Sequence, residues 1–324
     1  VPTVLAPSLA APALSSWRSE PAPALRSGVL GYLQLVIDVP DGHETVLTQS
    51  ASTEPMACVT WSGGIRIGGR EAAHPVCLVG PMEAPLSTRF SGSAWGFFVR
   101  FTPAGIRRVL GIRGADYRRM PPFDRAAPVA PGVRAWAARI ADAPDFEARV
   151  ALTDAWLAQE AVCRAEEAPA AGDALVDAAV ARIESGDGVV RMDALAAALG
   201  VSASTLRRRF VAGVGLSPKT YSEIVRLRRA HAFLRATPGA TWADAVVAFG
   251  YTDQAHLGHA YTRYAGVSPT RWARDAREMD LAFGMGADES APRARFLQEM
   301  ARPGAPSWPP LGAGDRSRQR PYSL

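Results

Sequence analysis

Arg207, Arg208 and Arg209 stand side by side in the stretch "LGVSASTLRRRFVAGVGLSP" at 199–218. An arginine fork matches the O6 and N7 acceptors of guanine, and it serves equally well on a phosphate. Some fifty positions later, "FGYTDQAHLGHAYTRYAGVSP" at 249–269 carries Gln254, His256 and His259. Glutamine can read the edge of adenine, and both histidines are expected to be mostly neutral at pH 7. Catalytic chemistry finds less support. "GVGLSPKT" imitates a phosphate loop, but Pro218 stands where glycine must precede the lysine. No G-x-S-x-G elbow occurs. The N-terminal half offers only His43 and His74, too few to build a His-x-His and carboxylate metal set, so neither a metal nor a cofactor is expected.

The two stretches are copies of one unit. Leu199-Gly200 matches Phe249-Gly250; Phe210 then matches Tyr261, Gly215 matches Gly266, Ser217-Pro218 matches Ser268-Pro269 and Tyr221 matches Trp272, with one residue inserted in the second copy's turn or early helix. An amphipathic helix precedes each first glycine ("MDALAAAL" and "TWADAVVAF"). That glycine suits the left-handed residue that ends a helix. The turns Val201-Ser202 and Tyr251-Thr252 offer hydroxyls to cap the helix that follows. Helix, glycine turn, helix is the layout of a helix-turn-helix, whose second helix enters the DNA major groove. A plain helical bundle with two chance hairpins is the bland alternative, and the duplication with its shared Gly-x-Ser-Pro ending argues against it.

Between the copies runs "SPKTYSEIVRLRRAHAFLRA", with Ser217 as cap and Pro218 at the first helical position. Tyr221, Ile224, Leu227, Ala230 and Leu234 form its expected inward face. About 19 helical residues make a rod of roughly 28 Å. With packing offsets, that can hold two recognition helices near the ~34 Å repeat of the major groove on one DNA face.

On the first recognition helix Leu206 and Phe210 point inward, which leaves Ser204, Arg207, Arg208 and Val211 outward. Arg207 and Arg208 are the base-reading candidates, and Arg209 faces either a phosphate or an internal carboxylate; a merely solvated arginine face is the alternative for all three. On the second helix Leu257 and Tyr261 point inward, leaving Gln254, Ala255, His256, Gly258 and His259 outward. A mid-helix glycine costs about 1 kcal/mol relative to alanine, so this module is expected to grip more weakly. His256 either faces DNA or bonds across its own turn. Thr205 and Arg263 complete the candidate DNA-binding set.

The whole chain agrees with a binding role. It has 324 residues, enough for two domains, and a formal net charge of +5 with pI ≈ 9.4, carried by arginine with Lys219 as its single lysine. Residues 174–275 hold 13 Lys/Arg against 8 Asp/Glu, so that segment accounts for the entire surplus. Cys58, Cys77 and Cys163 have no C-x-x-C spacing, which suits a reducing compartment. The opening "VPTVLAPSLAAPALSSW" has no basic residue before Arg18 and makes a poor signal peptide, and no apolar run reaches membrane-spanning length. A cytoplasmic location and no membrane partner are expected.

The expected fold class is α+β and multidomain. Residues 1–22 read as a flexible tail. Residues 23–115 are β-rich, with runs such as "YLQLVIDV", "MACVTWS" and "GFFVRF" at the spacing of an antiparallel sandwich or barrel. "FTPAGIRRVLG" reads as a helix from Pro103, and residues 116–172 as a proline-marked helical connector available for dimerisation. Residues 173–280 are helical nearly throughout, and 281–324 read as a disordered tail.

The 175–278 region resembles the C-terminal DNA-binding domain of AraC/XylS-type transcriptional regulators. "GYTDQAHLGHAYTRYAGVSP" is similar to their second-module signature, G-[FY]-x-[DS]-Q-[SA]-H-[FL]-x-[RK]-x-[FY]-x(4)-G-x-[ST]-P. The resemblance implies seven helices, two helix-turn-helix modules joined by a long helix, and sequence-specific binding of double-stranded DNA that activates or represses transcription, with RNA polymerase as a further partner of an activator. By motif position Ser204, Arg207 and Arg208 match base-contact positions of the first module, and Ala255, His256, Gly258 and His259 those of the second. Gly258 and His259 depart from the pattern, which has a polar residue and usually Arg there. The N-terminal half is similar to the cupin-like barrel such regulators use for sensing, through "GFFVRFTPAGIRRVLG". That implies a small-molecule effector; a barrel that only pairs with protein partners is the alternative, and a cupin-type enzyme a remote one. Trp61 and Trp95 lie in the barrel segment, where a filled pocket would change their fluorescence.

Overall fold

The computed structural model describes residues 13–62, 65–67, 70–71, 76–117, 131–165 and 173–268. The start of the expected N-terminal tail, the proline run of the connector, His74, the ring of Trp61, the Pro269 and Trp272 matches and the C-terminal tail lie outside what is described.

Among the described residues nine strands form the N-terminal region: β1 (Ala13–Ser19), β2 (Val29–Asp38), β3 (Thr45–Gln49), β4 (Met56–Ser62), β5 (Ile65–Ile67), β6 (Arg70–Glu71), β7 (Val76–Val79), β8 (Leu86–Phe90) and β9 (Ser93–Phe101). They divide into an antiparallel sheet of order β1-β2-β9-β4-β7 and a second of order β3-β8-β5-β6. Alternation places Tyr32, Phe97, Val99, Ala57 and Val59 in one buried layer, and Met56, Cys58, Cys77 and Val79 in another with Phe98 packed against it. Residues 13–19 belong to this sheet rather than to a tail. "ALSSWRS" has little strand character of its own, and its pairing with β2 over Ala13↔Asp38 to Ser19↔Tyr32 is what makes it a strand.

Four helices follow among the described residues: α1 (Pro103–Leu110), α2 (Gly114–Tyr117), α3 (Pro131–Ala141) and α4 (Phe146–Ala165). Helix α1 starts on a Thr102 cap and ends on Gly111 at φ 70°, the left-handed conformation that suits glycine. The pair α3–α4 is not a free connector. Val133, Trp136, Ile140, Phe146, Trp156 and Leu157 share one core with Tyr32, Phe97 and Val99 of the sheet. The Trp136 and Trp156 rings stack at 4.8 Å, and the Trp136 indole N–H donates to Thr153 at 3.0 Å.

The C-terminal region contains α5 (Asp173–Ser185), α6 (Met192–Ala198), α7 (Ala203–Val214), α8 (Pro218–Ala236), α9 (Trp242–Ala248) and α10 (Gln254–Ala265). Tyr221, Ile224, Leu227, Ala230 and Leu234 of α8 are all buried, as their spacing predicts. They share one core with Leu206 and Phe210 of α7 and with Leu257 and Tyr261 of α10. Among the described residues no helix is long and apolar enough to cross a membrane.

The two regions dock firmly. Arg107 and Arg108 of α1 pair with Asp177 of α5, the latter at 2.9 Å, and Arg113 reaches Asp173 at 3.0 Å. Gly114 lies so close to the end of α7 that an added Cβ would stand 2.0 Å from the Gly215 nitrogen. On another side Ala51 joins the helical core and donates its N–H to the Tyr264 carbonyl at 2.6 Å. Beside it the buried Glu54 carboxylate is shared between Arg100 of β9 and Arg228 of α8, at 2.6 and 2.9 Å.

Candidate nucleic-acid interface

The two copies of the repeated unit fold as helix pairs, α6–α7 and α9–α10. Gly200 and Gly250 both adopt left-handed backbone, at φ 67° and 62°, and end the first helix of each pair. The inserted residue falls in the second turn. Ser202 caps α7, its hydroxyl accepting from the Thr205 N–H at 3.2 Å, whereas α10 is capped by the Asp253 carboxylate, which accepts from the His256 N–H at 2.7 Å. Thr252, the expected hydroxyl cap, is displaced by one position. Both pairs close on a left-handed glycine, Gly215 and Gly266.

Helix α7 buries Leu206 and Phe210 and exposes Ser204, Arg207, Arg208 and Arg209. Among the described residues no carboxylate pairs with any of the three arginines, so the internal partner considered for Arg209 is not found there. Thr205 is half-buried, and its hydroxyl accepts from that of Ser202 at 3.0 Å within the cap. Helix α7 is held from beneath: the Phe210 ring meets Tyr221 edge-on at 5.4 Å, and the Tyr221 hydroxyl donates to Glu184 at 2.9 Å.

Helix α10 buries Leu257 and Tyr261 and exposes Gln254, Ala255, His256 and His259, with Gly258 half-buried. Contacts with α8 hold it at both ends and in the middle. At its start, Arg226 lies 3.8 Å from the centre of the Tyr251 ring, which meets the His256 ring at 5.1 Å. At its middle, the Tyr261 hydroxyl is 3.4 Å from His231 Nδ1. At its end, the Tyr264 hydroxyl donates to Glu223.

Residues 195–275 match the family model described as "Helix-turn-helix domain". The match takes in most of α6 and all of α7, α8, α9 and α10. The HTH-type transcriptional regulator MtrA of Neisseria gonorrhoeae is 31% identical over 84 residues, which make up 26% of this chain and 28% of MtrA. The match thus spans little more than a quarter of that relative. ToxT of Vibrio cholerae superposes with a TM-score of 0.43 at 9% identity, covering 74% of this chain and 97% of ToxT. ToxT with bound unsaturated fatty acid gives 0.45 at 7% identity, covering 83% and 100%.

Within the helix-turn-helix domain the candidate residues group by helix. Ser204, Arg207 and Arg208 lie together on the outer face of α7, and Gln254, Ala255, His256 and His259 on that of α10. Arg263 is exposed, 3.9 Å from Glu223 of α8 and 5.0 Å over the Tyr264 ring. His256 makes the bond across its own turn. Its ring is exposed, yet Nδ1 accepts from the Thr252 N–H at 3.3 Å across the turn, which leaves Nε2–H as the ring's free donor. Sequence reading missed Arg226 and Glu223, because each works through a partner on another helix.

Proposed function

We propose that the chain is a sequence-specific DNA-binding regulator of transcription whose α7 and α10 enter two successive major grooves of one duplex. The observation that carries this reading is the exposed row of Ser204, Arg207 and Arg208 on the second helix of a helix-turn-helix. Arg207 and Arg208 donate to guanine edges, Arg209 to phosphate, and Gln254 and the Nε2–H of His256 to bases in the next groove. Thr205 and Arg263 hold the helix ends and approach the backbone. Such a regulator acts in the cytoplasm and catalyses nothing; as an activator it would also contact RNA polymerase.

The N-terminal region is the effector-responsive part of this reading, its output passing through the ion pairs around Glu54 and Asp177 that join it to the reader. Trp95, half-buried with Arg149 4.9 Å from its ring, is placed to report a bound small molecule. A fluorescence titration that leaves Trp95 unchanged for every metabolite class favours the alternative, a region that only pairs with protein partners or a second copy. The reader itself is tested by binding isotherms across a salt series. Affinity is expected to fall steeply and linearly in log–log form as phosphates are engaged; a flat profile rejects the reading.

A further inference from the structure

We propose that Arg226 is a positioning residue for base reading by the second module, orienting the His256 ring through Tyr251 without touching DNA itself. The inference rests on the DNA-reading function proposed above and adds the device that aims one of its two helices. Arg226 lies on α8, the strut, rather than on α9 or α10. Its Nε–H donates to the Phe249 carbonyl at 2.6 Å, fastening the end of α9. Its guanidinium then lies against the Tyr251 face at 3.8 Å, and the Tyr251 ring meets His256 at 5.1 Å and 79°. The turn between is locked at both ends, by Thr252 N–H to His256 Nδ1 and by His256 N–H to Asp253.

Stability alone is a poor reason for this arrangement. Arg226 Nη2 is buried without a hydrogen-bond partner among the described residues, so the charge is held by an aromatic face and a single carbonyl bond. A half-buried guanidinium held on those terms contributes little net stability, but its planar stacking fixes a ring orientation closely. The Tyr251 hydroxyl likewise is buried without a partner among the described residues, so the ring and not the hydroxyl transmits the contact. The first module has no counterpart: by the alignment of the copies, Val201 stands at the position of Tyr251 and Thr205 at that of His256. Loss of Arg226 should therefore be felt in one half of the site only.

The test uses the full chain and the duplex it selects from a random pool, together with duplexes carrying single base-pair substitutions in either half. Arg208→Ala identifies the half read by α7. In Arg226→Met and in Tyr251→Leu, discrimination against substitutions in the other half should fall about five- to tenfold, the size of one lost base contact, while the α7 half is read as before. Tyr251→Phe should retain full discrimination, and Arg226→Met combined with His256→Ala should discriminate no worse than His256→Ala alone. Equal losses in both halves, unchanged reading of the α10 half, or additive losses in the double variant would each overturn the inference. Should Arg226→Met not fold, the contrast between Tyr251→Leu and Tyr251→Phe decides it. A wild-type chain that selects no duplex overturns the DNA-reading function itself, whereas a two-part site read equally well by Arg226→Met overturns this inference alone.

Discussion

Arg208 concentrates the specificity argument in one side chain. It is exposed on α7, one helical turn beyond Ser204, and its fork can meet a guanine edge. Arg208→Ala should cost ~1–3 kcal/mol on the selected site and relax preference at one base pair; uniform weakening on every sequence would make it a phosphate clamp instead. His231 carries a different consequence. Burial, with repulsion from Arg235 added, holds its imidazole down at about 3, so it stays neutral in the folded chain. The unfolded chain takes up a proton near pH 6.5 that the folded chain refuses. Stability is therefore complete above about pH 6.5 and is lost as pH falls toward 3, by up to ~1.4 kcal/mol per pH unit. Denaturation midpoints at pH 7 and pH 5 should differ in the wild type and differ less in His231→Phe; parallel losses in both would exclude His231 as the group responsible.

Between the recognition helices the difference lies in their caps and supports. Asp253→Ala removes the carboxylate that caps α10 and should cost about 1 kcal/mol in urea denaturation, whereas Thr252→Ala should cost little, because Thr252 offers α10 only its backbone N–H. The reverse order would place the cap back where the sequence alone suggests it. Much at this scale was legible in the chain: periodicity marks α8 and its buried face, paired glycines mark the two turns, and short β-type runs at even spacing mark β2, β4 and β9. What escaped depends on distant partners. β1 exists through its ladder with β2, α3–α4 pack on the sheet because Trp136 and Trp156 fit its core, and the supports of α10 on Arg226 and Glu223 join separate helices. No local pattern encodes such pairings.

As a whole the molecule joins a β-rich region to the paired helix-turn-helix units through buried charge. Glu54 stands between Arg100 and Arg228, and Arg228 continues to Glu184, which holds Tyr221 beneath α7. Breaking a buried pair by removing one partner strands the other charge, so Glu54→Ala should cost ~3–5 kcal/mol in chemical denaturation; a change under about 0.5 kcal/mol would show that the bridge does not carry the docking. Glu54 and Arg228 lie 174 positions apart in the sequence, which is why charge counting found the basic helical segment but not the junction. The groove-reading claim itself is tested most directly by selecting bound duplexes from a random pool with the full chain. Two short base clusters about 10–10.5 bp apart, centre to centre, are expected, as two helices on one DNA face require. A single cluster, or no preferred sequence, would contradict it.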